Sequence, residues 1–335
     1  MSKDILTEEV SEKGFALVVV IVIMLLVSFL AGQLILNVRT ELKVAFNAKA
    51  RSSGLALAEA GVNLGIFRIL DKPLHYISED YETFHEGYGY TAFLPSGKVK
   101  YTVINESGKM DLNKMNESLL KVFLEYLDVE VDDQSIIIDS LYDWRDSDDL
   151  HRLNGAEAEY YEALEDPYIP RNGRILDPAE FFLVKGTDKL AKKFKGSEAF
   201  TVHNNSTKIN FNSLTPFMLD FLVEGDEEKK TAYRDAKQEL GTLNASQARI
   251  VLGDERFERC ASFLGYSSAN NKYYTVIAEG QPGVTEESEI EREMASENEG
   301  ETSESRQDKP SMAVSVLFQM RGADVNYLSW QEGWL

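Results

Sequence analysis

Acidic side chains crowd one short segment near the middle of the chain. Asp143, Asp146, Asp148 and Asp149 lie within a stretch of seven residues, and Glu157 follows shortly after it. Carboxylate oxygens are hard ligands that suit Ca²⁺ better than Zn²⁺. If this segment binds a metal, the predicted ion is therefore calcium; helix capping and solvated charge are the alternative. The candidate ligands are Asp146, Asp148, Asp149 and Glu157.

An EF-hand is the first arrangement to test against this segment. A twelve-residue loop that starts at Asp146 places Glu157 at its last position, but its sixth position is His151, where an EF-hand requires glycine. The EF-hand is therefore excluded, and no other motif in the sequence assigns the ligands.

Motifs for catalysis are missing from the sequence. The four histidines are far apart and none stands in an H-E-x-x-H arrangement, which argues against a histidine-built catalytic metal site. The chain has neither a glycine-rich phosphate loop nor the nucleophile elbow of serine hydrolases. We therefore predict that the protein is not an enzyme, although catalytic carboxylate pairs are defined by their separation in space and leave no sequence motif.

The composition excludes several other classes of protein. The 335 residues include 35 basic and 56 acidic side chains, for a net charge of −21. Binding to nucleic acid requires clustered Lys and Arg, so this charge balance argues against it. The single cysteine, Cys260, excludes an intrachain disulfide framework and the cysteine-rich zinc modules.

The strongest signal in the sequence is an uncharged apolar run from Gly14 to Val38. About 20 such residues cross the ~30 Å hydrocarbon core of a bilayer, so the run predicts a transmembrane helix over 15–38. A buried core helix and a secretory signal peptide are the alternatives, but four acids and two lysines precede the run where a signal peptide has a basic front. By the positive-inside rule, the basic residues that follow the run would place the C-terminal side in the cytoplasm.

The helix is predicted to continue well beyond the membrane. No proline occurs before Pro73, and the sequence as far as about Leu70 stays rich in Ala, Leu, Val and Glu, so we expect one helix of ~80 Å. Its second half is amphipathic and carries small residues that permit close approach of a sheet or of a neighbouring helix. These small residues are Gly54, Ala56, Ala58, Ala60 and Gly61.

The remaining sequence alternates between strand-like and helix-like regions. Residues 88–104 are typical of a β-hairpin, and β-type sequence returns at 273–280 and 311–321. We expect an α+β fold, in which the long N-terminal helix packs on an antiparallel β-sheet that is interrupted by a large all-α insertion. The predicted parts are 39–112 for the helix end and first strands, 113–265 for the insertion, and 266–335 for the completion of the sheet.

Two short motifs within this region share one pattern. Residues 109–113 (KMDLN) and 208–212 (KINFN) each place Lys, an apolar residue, Asp or Asn, an apolar residue and Asn ahead of a helix-like run. Polar residues just before a helix satisfy its free backbone N–H groups. We therefore interpret Asn113, Asn212 and Ser213 as helix caps.

An acidic stretch precedes the last strands. Residues 286–308 contain ten acids and two arginines, with almost no apolar side chains. Such a composition buries too little surface to offset the entropy of ordering the chain. We predict a disordered loop between two strands.

The residues at the start of the apolar run, Lys13-Gly14-Phe15, resemble the processing site of type IV prepilins and type II secretion pseudopilins. The resemblance implies that prepilin peptidase removes the leader 1–14 by cutting between Gly14 and Phe15, and that the new N-terminus at Phe15 is methylated. It also implies, against the positive-inside count, that residues 15–335 lie outside the cytoplasm. The expected location is the bacterial inner membrane, with a single span and the C-terminal domain in the periplasm.

Several strings are similar to the K-type minor pseudopilins of type II secretion systems. Most pilin-like subunits carry glutamate at the fifth position after the cut; this chain has Val19 there, and in this it resembles the K-type subunit. Calcium binding is a further property that the resemblance implies. The similar strings are SLYDWRDSDD (140–149), GAEAEYY (155–161), PYIPRNGRILDPAEFFLVKG (167–186), KINFNSL (208–214) and YLSWQEGW (327–334).

The resemblance implies a minor pseudopilin at the tip of a short periplasmic filament, which initiates or caps filament assembly for protein export. The expected partners are the other minor pseudopilins, met by the glycine and alanine face of the N-terminal helix, together with the prepilin peptidase and the membrane. Two alternatives stay open: a minor pilin or adhesin at the tip of a type IV pilus, and a membrane-anchored periplasmic hydrolase.

Overall fold

A computed structural model describes the backbone of residues 5–71, 84–267, 271–283 and 311–334, with the side chains of these segments from Phe15 to Gly333. The side chains of the predicted leader and the predicted disordered loop 286–308 lie outside the described residues.

Helices and strands are numbered in chain order. The helices are α1 (Ile5–Leu70), α2 (Glu117–Tyr126), α3 (Val131–Arg145), α4 (Ala158–Glu162), α5 (Gly196–Ala199), α6 (Pro216–Val223), α7 (Glu227–Leu240), α8 (Ala245–Leu252) and α9 (Asp254–Cys260). The strands are β1 (Gly89–Leu94), β2 (Gly97–Asn105), β3 (Met110–Asp111), β4 (Phe200–Thr201), β5 (Ile209–Asn210), β6 (Leu264–Gly265), β7 (Tyr273–Pro282), β8 (Met312–Arg321) and β9 (Asp324–Trp334).

The N-terminal helix α1 is continuous, as the absence of proline predicts. Its side chains from Phe15 to Val38 are all exposed. Among the described residues, the part of α1 from Phe15 to Leu70 is the one helix long and apolar enough to cross a membrane. Its last turns, by contrast, are half-buried against the rest of the protein, so α1 combines a candidate membrane anchor with one layer of a folded domain.

A five-stranded antiparallel sheet forms the other layer. Its strand order is β1-β2-β7-β8-β9, and β1 and β2 form the hairpin that the sequence predicts. All of the helices from α2 to α9 lie in the chain between β2 and β7. The predicted α+β fold class, a long helix on an antiparallel sheet with an all-α insertion, is confirmed.

Three of the small residues of α1, Gly54, Ala58 and Gly61, pack on the sheet of their own chain. A Cβ atom added at Gly61 would lie 2.5 Å from Val99 Cγ2 and 2.8 Å from Ala278 Cβ, and Ala58 is fully buried. The helix approaches the sheet this closely because these positions lack bulky side chains. The interpretation that the glycine and alanine face meets the helices of other subunits is wrong for Gly54, Ala58 and Gly61, which the sheet covers. Ala56 is exposed and Ala60 is half-buried, so for these two residues it stays a prediction.

Two apolar cores are linked by buried polar side chains. One core lies between α1 and the sheet, and the other lies within the helical insertion. At the end of β2, Glu106 Oε1 accepts hydrogen bonds from Lys109 Nζ and from Thr275 Oγ1 of β7, both at 2.7 Å. Ser213, which we predicted to be a helix cap, instead donates its hydroxyl to Glu86 Oε2 at 2.5 Å. These bonds fix the insertion to one end of the sheet, where β2 ends and β7 begins.

The motif at 109–113 folds into a turn that clamps a distant segment. Asp111 Oδ1 accepts the backbone N–H of Asn113 at 2.8 Å. The Asn113 amide then accepts the N–H of Ile175 at 2.8 Å and donates to its carbonyl at 3.0 Å. The cap of α2 is Asn116, whose side chain accepts the N–H of Leu119. The capping interpretation of Asn113 is therefore wrong.

The motif at 208–212 repeats this arrangement. Asn210 Oδ1 accepts the N–H of Asn212 at 3.1 Å, and the Asn212 amide bonds the N–H of Leu243 at 2.7 Å and its carbonyl at 2.8 Å. The cap of α6 is Thr215. The capping interpretation is wrong for Asn212 also, because this side chain holds a tertiary contact and the cap stands three residues later.

Candidate functional site

The acidic segment is the loop that leaves α3 and folds back to start α4. Asp143 is fully buried near the end of α3, and both of its carboxylate oxygens accept the backbone N–H of Arg152, at 3.2 and 3.1 Å. A Cβ atom at Gly155 would lie 1.8 Å from Asp143 Oδ2, so the loop can close on this carboxylate only with glycine there. Burial raises the pKa of Asp143. Asp143 therefore organises the loop.

Glu157 is the most perturbed group of the segment. Its side chain is buried just before α4, only 7% exposed, and neither carboxylate oxygen has a hydrogen-bond partner. Burial, and then the charges of four aspartates, raise the pKa of Glu157 from 4.5 to about 7. The four are Asp143, Asp146, Asp149 and Asp148. A cation would stabilise the ionised form of such a group, because like charges and burial both oppose its ionisation.

Two further oxygens near this loop are buried without a donor, Asp146 Oδ1 and Asn172 Oδ1. Asn172 comes from a different segment, where it adopts a left-handed backbone conformation with φ of 43°. Its Nδ2 donates to Asp149 Oδ1 at 3.1 Å, which ties this segment to the acidic loop. Burial, followed by the charges of Asp148 and Asp143, raises the pKa of Asp146. Unpaired carboxylate and amide oxygens are the donor chemistry that calcium uses.

The four predicted calcium ligands have different environments. Glu157 and Asp146 carry the unpaired buried oxygens, whereas Asp148 and Asp149 are exposed. Asp148 Oδ1 also accepts the N–H of Leu150 at 3.0 Å. Across the described parts of the chain, no group of three or more His, Cys, Asp or Glu side chains is arranged to hold a metal ion. Glu157, Asp146 and Asn172 are the side chains of this region with buried oxygens that have no hydrogen-bond donor.

Sequence reasoning did not identify Asn172 as a candidate ligand, because this residue lies in a different segment of the chain from the acidic loop. Its signal is local: the string Pro170-Arg171-Asn172-Gly173 is typical of a turn, and asparagine tolerates positive φ better than most residues. A turn motif does not reveal which segment its side chain will meet. The structure brings the two segments together.

The predicted processing site lies at the other end of the molecule. Phe15 is 74% exposed on α1, and Gly14 is among the residues whose side-chain environment is not described. Cleavage between Gly14 and Phe15 and methylation at Phe15 stay predictions.

Comparisons with known proteins bear on the middle of the chain. Residues 103–193, which run from β2 through the acidic loop and Asn172, match the family model described as Type II secretion system (T2SS), protein K. A Type II secretion system protein K from Pectobacterium carotovorum subsp. carotovorum is 30% identical over 99 residues, which is 30% of this chain and 30% of that protein. The aligned part of the chain thus spans less than a third of this relative's length.

One solved structure is similar to a larger part of the chain. It is described as the crystal structure of the GspK-GspI-GspJ complex from the enterotoxigenic Escherichia coli Type 2 Secretion System. The match has 17% identity and a TM-score of 0.48, and it covers 89% of this chain and 99% of that chain. The family match agrees with the resemblance read from the sequence: residues 103–193 are similar to protein K of type II secretion systems.

Proposed function

We propose that this protein is a minor pseudopilin of a bacterial type II secretion system, located at the tip of the periplasmic pseudopilus. It would initiate or cap filament assembly for protein export. The observation that carries this proposal is the match of residues 103–193 to protein K, in a chain that joins this region to a long apolar helix and an antiparallel sheet. The proposed role is structural, and the other minor pseudopilins of the tip are the proposed partners.

A tip position is consistent with the residue at the fifth position after the proposed cut. That residue is Val19, and it is exposed on α1. A carboxylate in hydrocarbon is costly unless a cation lies beside it. A subunit without the carboxylate therefore suits the place in a filament where no neighbouring N-terminal ammonium needs a partner.

The function is tested in the bacterium that encodes the chain. Deletion of the gene should abolish secretion of exported proteins and leave surface pili intact, and the full-length gene should restore secretion. Loss of pili with normal secretion would favour the type IV pilus alternative. The full-length protein should also copurify with smaller pilin-like subunits, and recovery of the protein alone from a secreting strain would contradict a place in the tip complex.

We also propose that prepilin peptidase cuts this chain after Gly14, that Phe15 is then methylated, and that the folded domain lies in the periplasm. Intact mass of the protein recovered from membranes tests the first two points. The expected mass lacks residues 1–14 and includes one added methyl group. A chain that retains Met1 or Ser2 would contradict processing. Digestion of the folded domain by protease added to spheroplasts, with a cytoplasmic protein protected, tests the orientation.

We propose further that the loop between α3 and α4 binds calcium through oxygens of Glu157, Asp146 and Asn172. Support comes from buried oxygens without donors on these three side chains. A bound calcium ion would supply positive charge among the aspartates and so hold this loop and the Asn172 segment together. Calorimetric titration of the full-length protein in detergent should show calcium binding that E157Q abolishes and that E159Q, at an exposed position two residues later, preserves. Equal calcium binding by both variants would contradict this ligand.

A further inference from the structure

Two basic residues follow the apolar run at the height of the lipid headgroups. The run from Phe15 to Val38 contains 24 residues and no charge. At about 1.5 Å per residue, Arg39 lies about 36 Å along the helix from Phe15 and Lys43 about 42 Å. A bilayer has a hydrocarbon core of ~30 Å and measures ~40–45 Å with its headgroup regions. Both side chains therefore reach the polar layer on the side of the folded domain.

The two residues form one basic face of α1. Arg39 and Lys43 are four positions apart, which places them one above the other on the same side of a helix, and both are exposed. Glu41 lies between them in sequence and on the far side of the helix. We refer to Arg39 and Lys43 as the basic collar. Long basic side chains at this depth extend towards phosphate groups.

The folded domain begins well beyond this collar along α1. Residues 1–51 carry six basic and five acidic side chains, so of the net −21 of the chain a net −22 belongs to residues 52–335. Gly54 is the first position of α1 that is buried against the sheet, 15 residues beyond Arg39 and hence about 22 Å further along the helix. This distance is more than twice the Debye length of ~8 Å at physiological ionic strength. Charges on α1 at or beyond Gly54 are therefore largely screened from the collar, and within residues 15–51 four basic side chains face a single acidic one.

We propose that the basic collar binds the phosphate groups of anionic phospholipids in the leaflet nearest the folded domain. The binding requires only that α1 spans the membrane; which leaflet this is rests on the proposed function. The proposal also gives a role to basic residues that, by the positive-inside rule, would oppose the proposed orientation of the helix. Anionic phospholipid is the proposed partner because the charge faces the headgroup layer directly.

The test is native mass spectrometry of the full-length protein, extracted in detergent and exposed to equimolar phosphatidylglycerol and phosphatidylcholine. The protein should retain phosphatidylglycerol in preference. Each basic residue near an anionic surface raises binding about five-fold, so R39Q/K43Q should lower this preference by about 25-fold. The control K189Q/K192Q removes two exposed positive charges from the helical insertion and should leave the preference unchanged.

A third variant gives the opposite sign. E41Q removes the acid between the two basic residues and should increase retention of phosphatidylglycerol. Equal retention of the two lipids by the unaltered protein, or equal loss in R39Q/K43Q and in the control, would overturn the proposal. Unchanged retention of phosphatidylglycerol by R39Q/K43Q would also overturn the proposal. If a separate copurification then showed that this variant had lost the smaller subunits, the collar would bind acidic groups of a protein. The lipid assay contains no other subunit, so its result is independent of the proposed place in the secretion system.

Discussion

Replacement of Glu157 by glutamine (E157Q) removes one buried charge and keeps the shape of the side chain. In the metal-free protein, Glu157 has no hydrogen-bond donor and lies among aspartate charges, so its ionisation is opposed in the folded state. Its pKa is about 7 in the folded protein against 4.5 for an unperturbed glutamate. The folded state therefore binds this proton more tightly than the unfolded state does.

The sign and size of the effect follow from that difference. Because the folded state holds the proton up to a higher pH, the free energy of unfolding should fall as pH rises from about 4.5 to about 7 and level off above that. One pKa unit corresponds to about 1.4 kcal/mol, so the full loss is about 3 kcal/mol. At pH 8 without calcium, E157Q should be more stable than the unaltered protein by up to this amount, and near pH 4.5 the two should be similar.

Calcium should reverse the order of stability. A ligand that binds only the folded state at 1,000 times its Kd adds about 4.1 kcal/mol to the free energy of unfolding, which exceeds the loss of about 3 kcal/mol, and the variant that lacks the ligand should not gain this. The measurement is urea unfolding of the full chain in detergent between pH 4.5 and 8.5, with chelator or with calcium. Fluorescence of Trp144 is a suitable probe, because this side chain is 2% exposed and its ring packs 5.2 Å from that of Tyr161 in the same core.

The matched control is E159Q, at an exposed position two residues along the chain. E159Q should follow the unaltered protein at every pH, with and without calcium. If E157Q were less stable than the unaltered protein at pH 8 in chelator, the inferred opposition to ionisation would be refuted. If calcium stabilised E157Q as much as the unaltered protein, Glu157 would not be a calcium ligand.

Three other substitutions test the packing. G61A should destabilise the protein by about 1–3 kcal/mol in urea unfolding, because its methyl group meets two sheet side chains, whereas G32A, with no atom within 4 Å, should not. E106Q should cost about 3–5 kcal/mol, because it leaves the buried ammonium of Lys109 without its partner. Burial raises the pKa of Glu106, but the charge and hydrogen bond of Lys109 outweigh this and lower it below 4.5, so the contribution of Glu106 should be lost as pH falls. N113A should cost about 1–3 kcal/mol in the same assay, through two lost hydrogen bonds to buried backbone groups.

The elements that sequence predicts well here are those determined by neighbouring residues. The long helix α1 follows from an apolar run without proline, and the β1-β2 hairpin follows from alternating strand residues around a Pro-Ser-Gly turn. The small residues of α1 also predict close packing, because they recur within a short stretch of one helix. Their partner was not predictable, because a glycine face accepts a sheet of the same chain or a helix of another chain equally well.

The candidate calcium site shows where such local reasoning ends. The acidic loop is visible in sequence because its aspartates are adjacent. Which of those aspartates is buried depends on how the loop folds back over α3, and the exposed pair, Asp148 and Asp149, looks the same in sequence as Asp146. Asn172 enters the site from a segment more than a dozen residues away, so no spacing rule links it to Glu157.

The two related motifs at 109–113 and 208–212 hold distant segments of the chain in the same way. Each motif makes the same turn and uses its last asparagine to hold both backbone groups of a distant residue, Ile175 in the first case and Leu243 in the second. A parallel strand pair accompanies each motif, β3 with β4 and β5 with β6. The string and its hydrogen bonds therefore recur together at two places in the helical insertion.

The two motifs differ in the part of the chain that contains the residue they hold. Leu243 lies in the short connection between α7 and α8, where the flanking helices already restrict the backbone. Ile175 lies beyond α4, in a long irregular segment, and Asn172 is only three residues before it. Asn113 holds this segment through Ile175, and the hydrogen bond from Asn172 to Asp149 ties the same segment to the acidic loop. A cation bound as proposed by Asn172, Asp146 and Glu157 would add a further support to this irregular segment, whereas Leu243 lies in a connection of four residues between two helices.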